Sequence, residues 1–194
     1  ARVIVHPNNP DGQLWDDKAA DGSDLLVIDE SFCDVTPGHS KLASDMSQST
    51  VILKSFGKFW GLAGARLGFA IGAPKTIARL GDMLGPWPVS GPTMRVATAA
   101  LSDFDWADQT RKKLQADAAR LDHLVVSSGK AALIGGTNLF RLYRAEDAAA
   151  LQTHLARHHI LTRTFPYSGS WLRLGLPASD TDWNRLENAL ISAP

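Results

Sequence analysis

Ser55-Phe56-Gly57-Lys58-Phe59-Trp60-Gly61-Leu62-Ala63-Gly64-Ala65-Arg66-Leu67-Gly68 follows the short apolar run Val51-Ile52-Leu53. A strand-like run therefore opens into a glycine-punctuated turn that carries one lysine, with a hydroxyl at Ser55 and a guanidinium at Arg66 on either side. Lysines in such settings form Schiff bases with carbonyl compounds. A hydroxyl and a planar fork of donors suit a phosphate group. A compound that brings an aldehyde and a phosphate to a lysine is pyridoxal 5′-phosphate. The Gly57-Lys58 pair is not part of a P-loop, because Ile52 stands where that motif needs glycine and Phe59 where it needs Ser or Thr.

Two upstream segments carry matching chemistry. His6-Pro7-Asn8-Asn9-Pro10-Asp11-Gly12 follows the strand-like Val3-Ile4-Val5. Asn and Pro initiate turns, and an Asn side chain at a strand end offers both a donor and an acceptor. Leu25-Leu26-Val27-Ile28-Asp29-Glu30-Ser31-Phe32 is an apolar run ending in an acid. It reads as a buried parallel strand with Asp29 at its carboxyl end, where ligands of open α/β sheets bind. A carboxylate there can pair with a protonated pyridine nitrogen.

Together these segments resemble the class I and II aminotransferases, the fold-type I family of pyridoxal-phosphate enzymes. The lysine motif of that family is matched at Ser55, Lys58, Gly61, Gly64, Arg66 and Gly68, with Gly57 standing where Ser or Thr is common. The Asn-Pro turn is similar to the family's, with His6 and Asp11 as departures. The resemblance implies an internal Schiff base at Lys58, Asp29 at the pyridine nitrogen, Asn9 at the phenolic oxygen, and Ser55 and Arg66 at the cofactor phosphate. Phe32 stands where most members carry a tyrosine, so it lines the cofactor site without donating to it.

Length and composition agree with this. A chain of 194 residues can bury a real core. Twenty basic and twenty acidic residues cancel, so no charge excess points to nucleic acid or an anionic membrane. The single cysteine, Cys33, allows no internal disulfide and fits a reducing cytoplasm. Its place beside Phe32 leaves two readings, a packed thiol or a reactive one. No apolar run reaches membrane-spanning length.

Alternating strands and helices predict an α/β fold. Residues 2–5, 25–29, 51–53 and 67–71 are expected to be successive strands of one sheet. Helices are expected at 74–84, with Ile77, Leu80 and Leu84 on one face, and at 93–101. Trp106, Thr110, Leu114, Ala118, Leu121 and Val125 recur at helical spacing, with Gly129 as a stop. This helix leads into a small α+β unit with strands at 138–143, 161–165 and 171–176 and helices at 147–158 and 181–191. The expected division is a partial pyridoxal-phosphate-binding large domain over 1–105 and a small C-terminal domain over 106–194, with the boundary near 104–112.

His154 and His158 have a metal-ligand spacing, but no third ligand accompanies them, and no metal is expected. Arg173 interrupts the apolar run Trp171-Leu172-Arg173-Leu174. Charge within such a run needs a partner, and arginine suits a carboxylate. The resemblance implies that Arg173 binds the substrate carboxylate.

The resemblance covers nearly all of this chain but implies a longer protein, whose N-terminal part supplies further strands and a cofactor-phosphate loop. Activity is accordingly expected of the complete protein, a cytoplasmic homodimer. Within the family, the segments at Asn8–Gly12, Asp29–Phe32, Ser55–Phe69 and Gly85–Pro92 look most like the decarboxylases of threonine phosphate that serve cobalamin biosynthesis. Histidinol-phosphate aminotransferases are the alternative, and local chemistry does not separate the two. An inactive relic of the fold that only dimerises is a further alternative. It gives no reason to retain Lys58, Asn9, Asp29 and Arg66 together.

Overall fold

The structure, a computed structural model, describes residues 1–16, 24–43 and 47–193. It comprises two compact units: Ala1–Asn9 with Gln13–Arg111, and Pro10–Gly12 with Lys112–Pro194.

The first unit is built on a four-stranded sheet in the order β1 (Arg2–Val5), β2 (Leu26–Asp29), β3 (Thr50–Ser55), β4 (Gly68–Gly72). β1, β2 and β3 run parallel, and β4 returns antiparallel to β3. Ile4, Leu26, Ile28 and Ile52 bury themselves together, and Trp15 packs against them. This gives the apolar runs their parallel register, with Val5 beside Asp29 and Asp29 beside Leu53. The carboxyl ends of three strands therefore lie level, and the loops after them leave from one edge. Helices α1 (Pro74–Leu84) and α2 (Gly91–Ser102) follow; Pro lies in the first turn of each, and the Ser90 hydroxyl caps α2. No residue of α1 is buried, and Leu84 is exposed, so the expected apolar face of α1 covers less than its spacing implies.

α3 (Phe104–Ser127) runs across the division between the units. In the second unit, β5 (Ala131–Thr137), β6 (Phe140–Ala145), β7 (Arg163–Phe165) and β8 (Ser168–Gly175) form an antiparallel sheet in the order β5-β6-β8-β7. α4 (Ala148–Arg157) and α5 (Asp180–Ile191) contribute to a core that includes Leu121, Val125, Tyr143, Leu155, Leu172, Trp183 and Leu190. Asp147 caps α4, and a Ser179–Asp182 capping box starts α5.

Two readings of the sequence need correction here. β5 was not expected, and the strand expected from Asn138 begins at Phe140. Thr137 accepts from the Leu139 amide through its hydroxyl, closing the turn between β5 and β6. Arg173 does not interrupt a uniformly buried strand. β8 alternates, with Leu172 and Leu174 in the core and half-buried Arg173 on the other face.

Among the described residues, no helix is long and apolar enough to cross a membrane.

Candidate active site

Asp29 is the last residue of β2, and its backbone is held on both sides. Its carbonyl accepts from the His6 amide at 2.8 Å, and the next amide, Glu30, donates to Leu53 at 2.8 Å. Oδ1 accepts from the amide and the hydroxyl of Ser31, at 2.9 and 2.5 Å. Oδ2 takes no partner among the described residues, and the side chain is half-buried. The carboxylate is thus oriented through one oxygen and can accept a proton-bearing partner through the other.

Asn9 leaves from the end of β1, half-buried, in a loop closed by the Asn8 amide donating to Gln13 at 2.8 Å. His6, at the start of that loop, is 2 % exposed. Its Nδ1 accepts from the Trp15 amide at 3.0 Å, which leaves Nε2 to donate to the His39 carbonyl at 2.9 Å. It therefore pins the Asn-Pro loop from beneath, a role its place before Pro7 did not disclose.

Lys58 projects from the turn after β3 and is exposed, with Nζ 5.4 Å from the centre of the Phe32 ring. Phe32 belongs to the loop after β2, so lysine and ring approach from neighbouring strand ends. The Ser55 hydroxyl accepts from the Gly57 amide at 3.1 Å, leaving its own proton free to donate. Arg66 closes the short turn Ala63–Ala65 in a left-handed conformation, φ 53°. One of its nitrogens donates to Ala63 at 2.9 Å, and the exposed guanidinium has further N–H groups to offer.

Beneath this edge lies a network of charges that the sequence did not reveal. Glu30 is wholly buried; it accepts from Ser40 and the Lys41 amide, each at 2.6 Å, and from Lys54 at 3.2 Å. Lys54 also pairs with Asp34 at 2.6 Å. Burial disfavours the Lys54 ammonium, but the hydrogen bond and charge of Asp34, with Glu30 behind it, outweigh this and raise its pKa. Cys33 is fully buried, and burial together with the Glu30 charge pushes its thiol up to about 12. It is a packed thiol, not a nucleophile.

In the second unit, Arg173 lies 5.2 Å from the Phe140 ring centre and directly across from Arg163 in the β7–β8 register. Burial and the Arg163 charge lower its pKa. Like charges opposite one another are unfavourable in a sheet. Arg163 passed unremarked in the sequence although it lies within the strand expected at 161–165, which forms as Arg163–Phe165. The second unit also encloses Pro10–Gly12. The Gly136 amide donates to Asp11 at 2.8 Å, and a Cβ on Gly12 would meet the Gly136 carbonyl at 2.0 Å. His154 Nε2 donates to the Ala189 carbonyl at 2.8 Å, tying α4 to the end of α5.

Residues 3–190 match the model of the family described as aminotransferase class I and II. The chain belongs to the class I and II aminotransferases. It is 42% identical over 197 residues to a threonine-phosphate decarboxylase of Pseudomonas aeruginosa, covering 97% of this chain and 59% of that protein. It is 34% identical over 146 residues to a histidinol-phosphate aminotransferase of Mycobacterium tuberculosis, covering 72% of this chain and 39% of the relative. The chain thus spans about three fifths of the first of these relatives and two fifths of the second. A solved histidinol-phosphate aminotransferase from Sinorhizobium meliloti, in complex with pyridoxal-5′-phosphate, superposes with a TM-score of 0.84 at 24% identity. It covers 98% of this chain, which covers 56% of it. Class I and II aminotransferases are pyridoxal-phosphate enzymes of the α/β class, and the strand-end edge of the first unit has that architecture.

Proposed function

We propose that the complete protein is a pyridoxal-phosphate-dependent carboxy-lyase that converts L-threonine O-3-phosphate to aminopropanol phosphate, a step of cobalamin biosynthesis. The observation that carries the choice within the family is the 42% identity with the Pseudomonas aeruginosa threonine-phosphate decarboxylase along 97% of this chain.

The residues of the first unit fit the cofactor. Asp29 has a half-buried carboxylate with one uncommitted oxygen, Lys58 is exposed at the same edge, and Ser55 and Arg66 have donors to offer. Asp29 would hold the proton of the pyridine nitrogen through Oδ2. Asn9 would meet the phenolic oxygen, Ser55 and Arg66 the phosphate, and Phe32 the space beside Lys58. Bound there, pyridoxal phosphate supplies an electron sink for the bond broken at the substrate Cα. Lys58 Nζ would hold the aldehyde end of the group and, when not so engaged, would be placed to move a proton at the substrate Cα. Arg173 would take the substrate carboxylate. Arg163 opposite it adds a second positive charge, which suits a substrate with a phosphate as well as a carboxylate.

The complete protein is proposed to work as a cytoplasmic homodimer, and the exposed Met83, Leu84 and Trp87 support an apolar contact between copies. Histidinol-phosphate aminotransferase is the second reading, favoured by the Mycobacterium tuberculosis relative. Parallel assays of the full-length protein separate the two. Carbon dioxide released from threonine phosphate, without sustained glutamate formation from histidinol phosphate and 2-oxoglutarate, is expected. Glutamate formed at the higher turnover would give the assignment to the aminotransferase.

A further inference from the structure

Asp34 lies in the loop after β2, yet its contacts run to both sides of the Lys58 turn. One carboxylate oxygen pairs with Lys54 at 2.6 Å, and the other accepts from the Trp60 indole at 2.9 Å. Its backbone carbonyl accepts from Arg111 at 2.9 Å, and Arg111 in turn packs over Phe59 with 5.1 Å to the ring centre. Lys54 precedes Lys58 in the sequence and Trp60 follows it, so a single side chain spans the base of the turn. Trp60 has little freedom to follow a displaced Asp34, because it is stacked between Phe56 and Trp106, with centroid distances of 5.5 and 5.7 Å. Lys54 is anchored a second time, by fully buried Glu30 next to Asp29. The loop that follows Asp29 and the turn that carries Lys58 thus share one set of charged contacts, roofed by aromatic rings.

We propose that Asp34 is a positioning residue: it clamps both flanks of the Lys58 turn and so fixes Lys58 relative to Asp29. The inference rests on the reading of Lys58 as the cofactor lysine. Asp34 does not itself touch cofactor or substrate in this account; it acts through Lys54 and Trp60. The turn's own bonds include the Gly61 amide to Lys58 at 3.1 Å, the Leu62 amide to Phe56 at 2.9 Å, the Gly57 amide to Ser55 and, closing its base, the Phe56 amide to Leu67 at 3.2 Å. Without the clamp these are left to hold it, and a displacement of about 1 Å at a reacting group costs on the order of a hundredfold in rate.

The test compares Asp34→Ala, Asp34→Asn and Trp60→Phe in the full-length protein by two readouts. Amide hydrogen exchange is measured in the cofactor-free protein, and the rate at which pyridoxal phosphate becomes fixed to Lys58 under borohydride is followed by peptide mapping. In Asp34→Ala the Gly61 and Leu62 amides are expected to exchange at least tenfold faster, and Lys58 to be labelled at least tenfold more slowly. Amides of β2 should keep their protection. Asp34→Asn retains the acceptor for Trp60 but not the ion pair, and Trp60→Phe removes one arm while keeping the ring stack. Each should give a partial effect, and these two carry the test if Asp34→Ala does not fold. Wild-type exchange and labelling in both would overturn the inference. So would uniform acceleration across all strands of the first unit, which marks a merely structural residue. A wild-type protein that takes no label at Lys58 contradicts the proposed function instead, while the exchange data still decide whether the clamp exists.

Discussion

Asp29 commits Oδ1 to the Ser31 amide and hydroxyl and leaves Oδ2 for another partner. If its work is to hold a proton on the cofactor ring, charge matters more than shape. Asp29→Asn preserves the hydrogen-bonding outline but not the negative charge. Turnover should fall by roughly two orders of magnitude or more, the scale set by the loss of a placed electrostatic partner. Cofactor affinity should change far less. A titration of pyridoxal phosphate beside a steady-state assay checks both, and full activity would remove Asp29 from the site. The strand-end and turn positions of Lys58, Asp29, Asn9 and Arg66 were legible in the sequence because short apolar runs, prolines and glycines mark where each strand stops. Glu30, Asp34 and Lys54 were not. Their meaning lies in contacts between residues far apart in the chain, and a buried carboxylate reads locally like any surface acid.

At the scale of elements, long amphipathic segments announced themselves. The Ala118, Leu121 and Val125 spacing predicted α3, and all three side chains are buried. β5 escaped because Ala131-Ala132-Leu133-Ile134-Gly135-Gly136-Thr137 holds two glycines and two alanines, a poor strand by propensity. The glycines serve contact rather than propensity, since a Cβ on Gly135 would meet the Asp11 carbonyl at 2.4 Å. In the same unit α3 is tied to β6 by Asp122. It accepts both Arg141 Nε and Nη2, the latter at 2.7 Å, and the Tyr143 hydroxyl at 2.8 Å. Removing that acceptor strands a guanidinium and a phenol that are mostly out of water. Asp122→Ala should therefore lower stability by about 2–3 kcal/mol. Denaturant midpoints measure this, and a loss under about 0.5 kcal/mol would show that solvent replaces the carboxylate.

For the whole molecule, the resolved shifts in buried groups point to alkaline sensitivity. Burial raises the Cys33 thiol from 9.0 to about 12. Burial and Asp122 raise the Tyr143 phenol, and Lys54 is raised by its carboxylates despite its burial. Each group binds its proton more tightly folded than unfolded, so its contribution is complete below the unfolded pKa and drains as pH rises through the folded value. The unfolding midpoint should fall between about pH 9 and pH 12, and the slope should be shallower in Cys33→Ala; parallel slopes would exclude the thiol as a contributor. The sequence holds eight lysines, and the proposed function assigns the cofactor to Lys58. The most direct measurement is to load the full-length protein with pyridoxal phosphate, reduce it with borohydride and map the whole digest. One pyridoxyl group per chain on the peptide bearing Lys58 is the predicted result; label on Lys54, or spread over several lysines, would contradict the account.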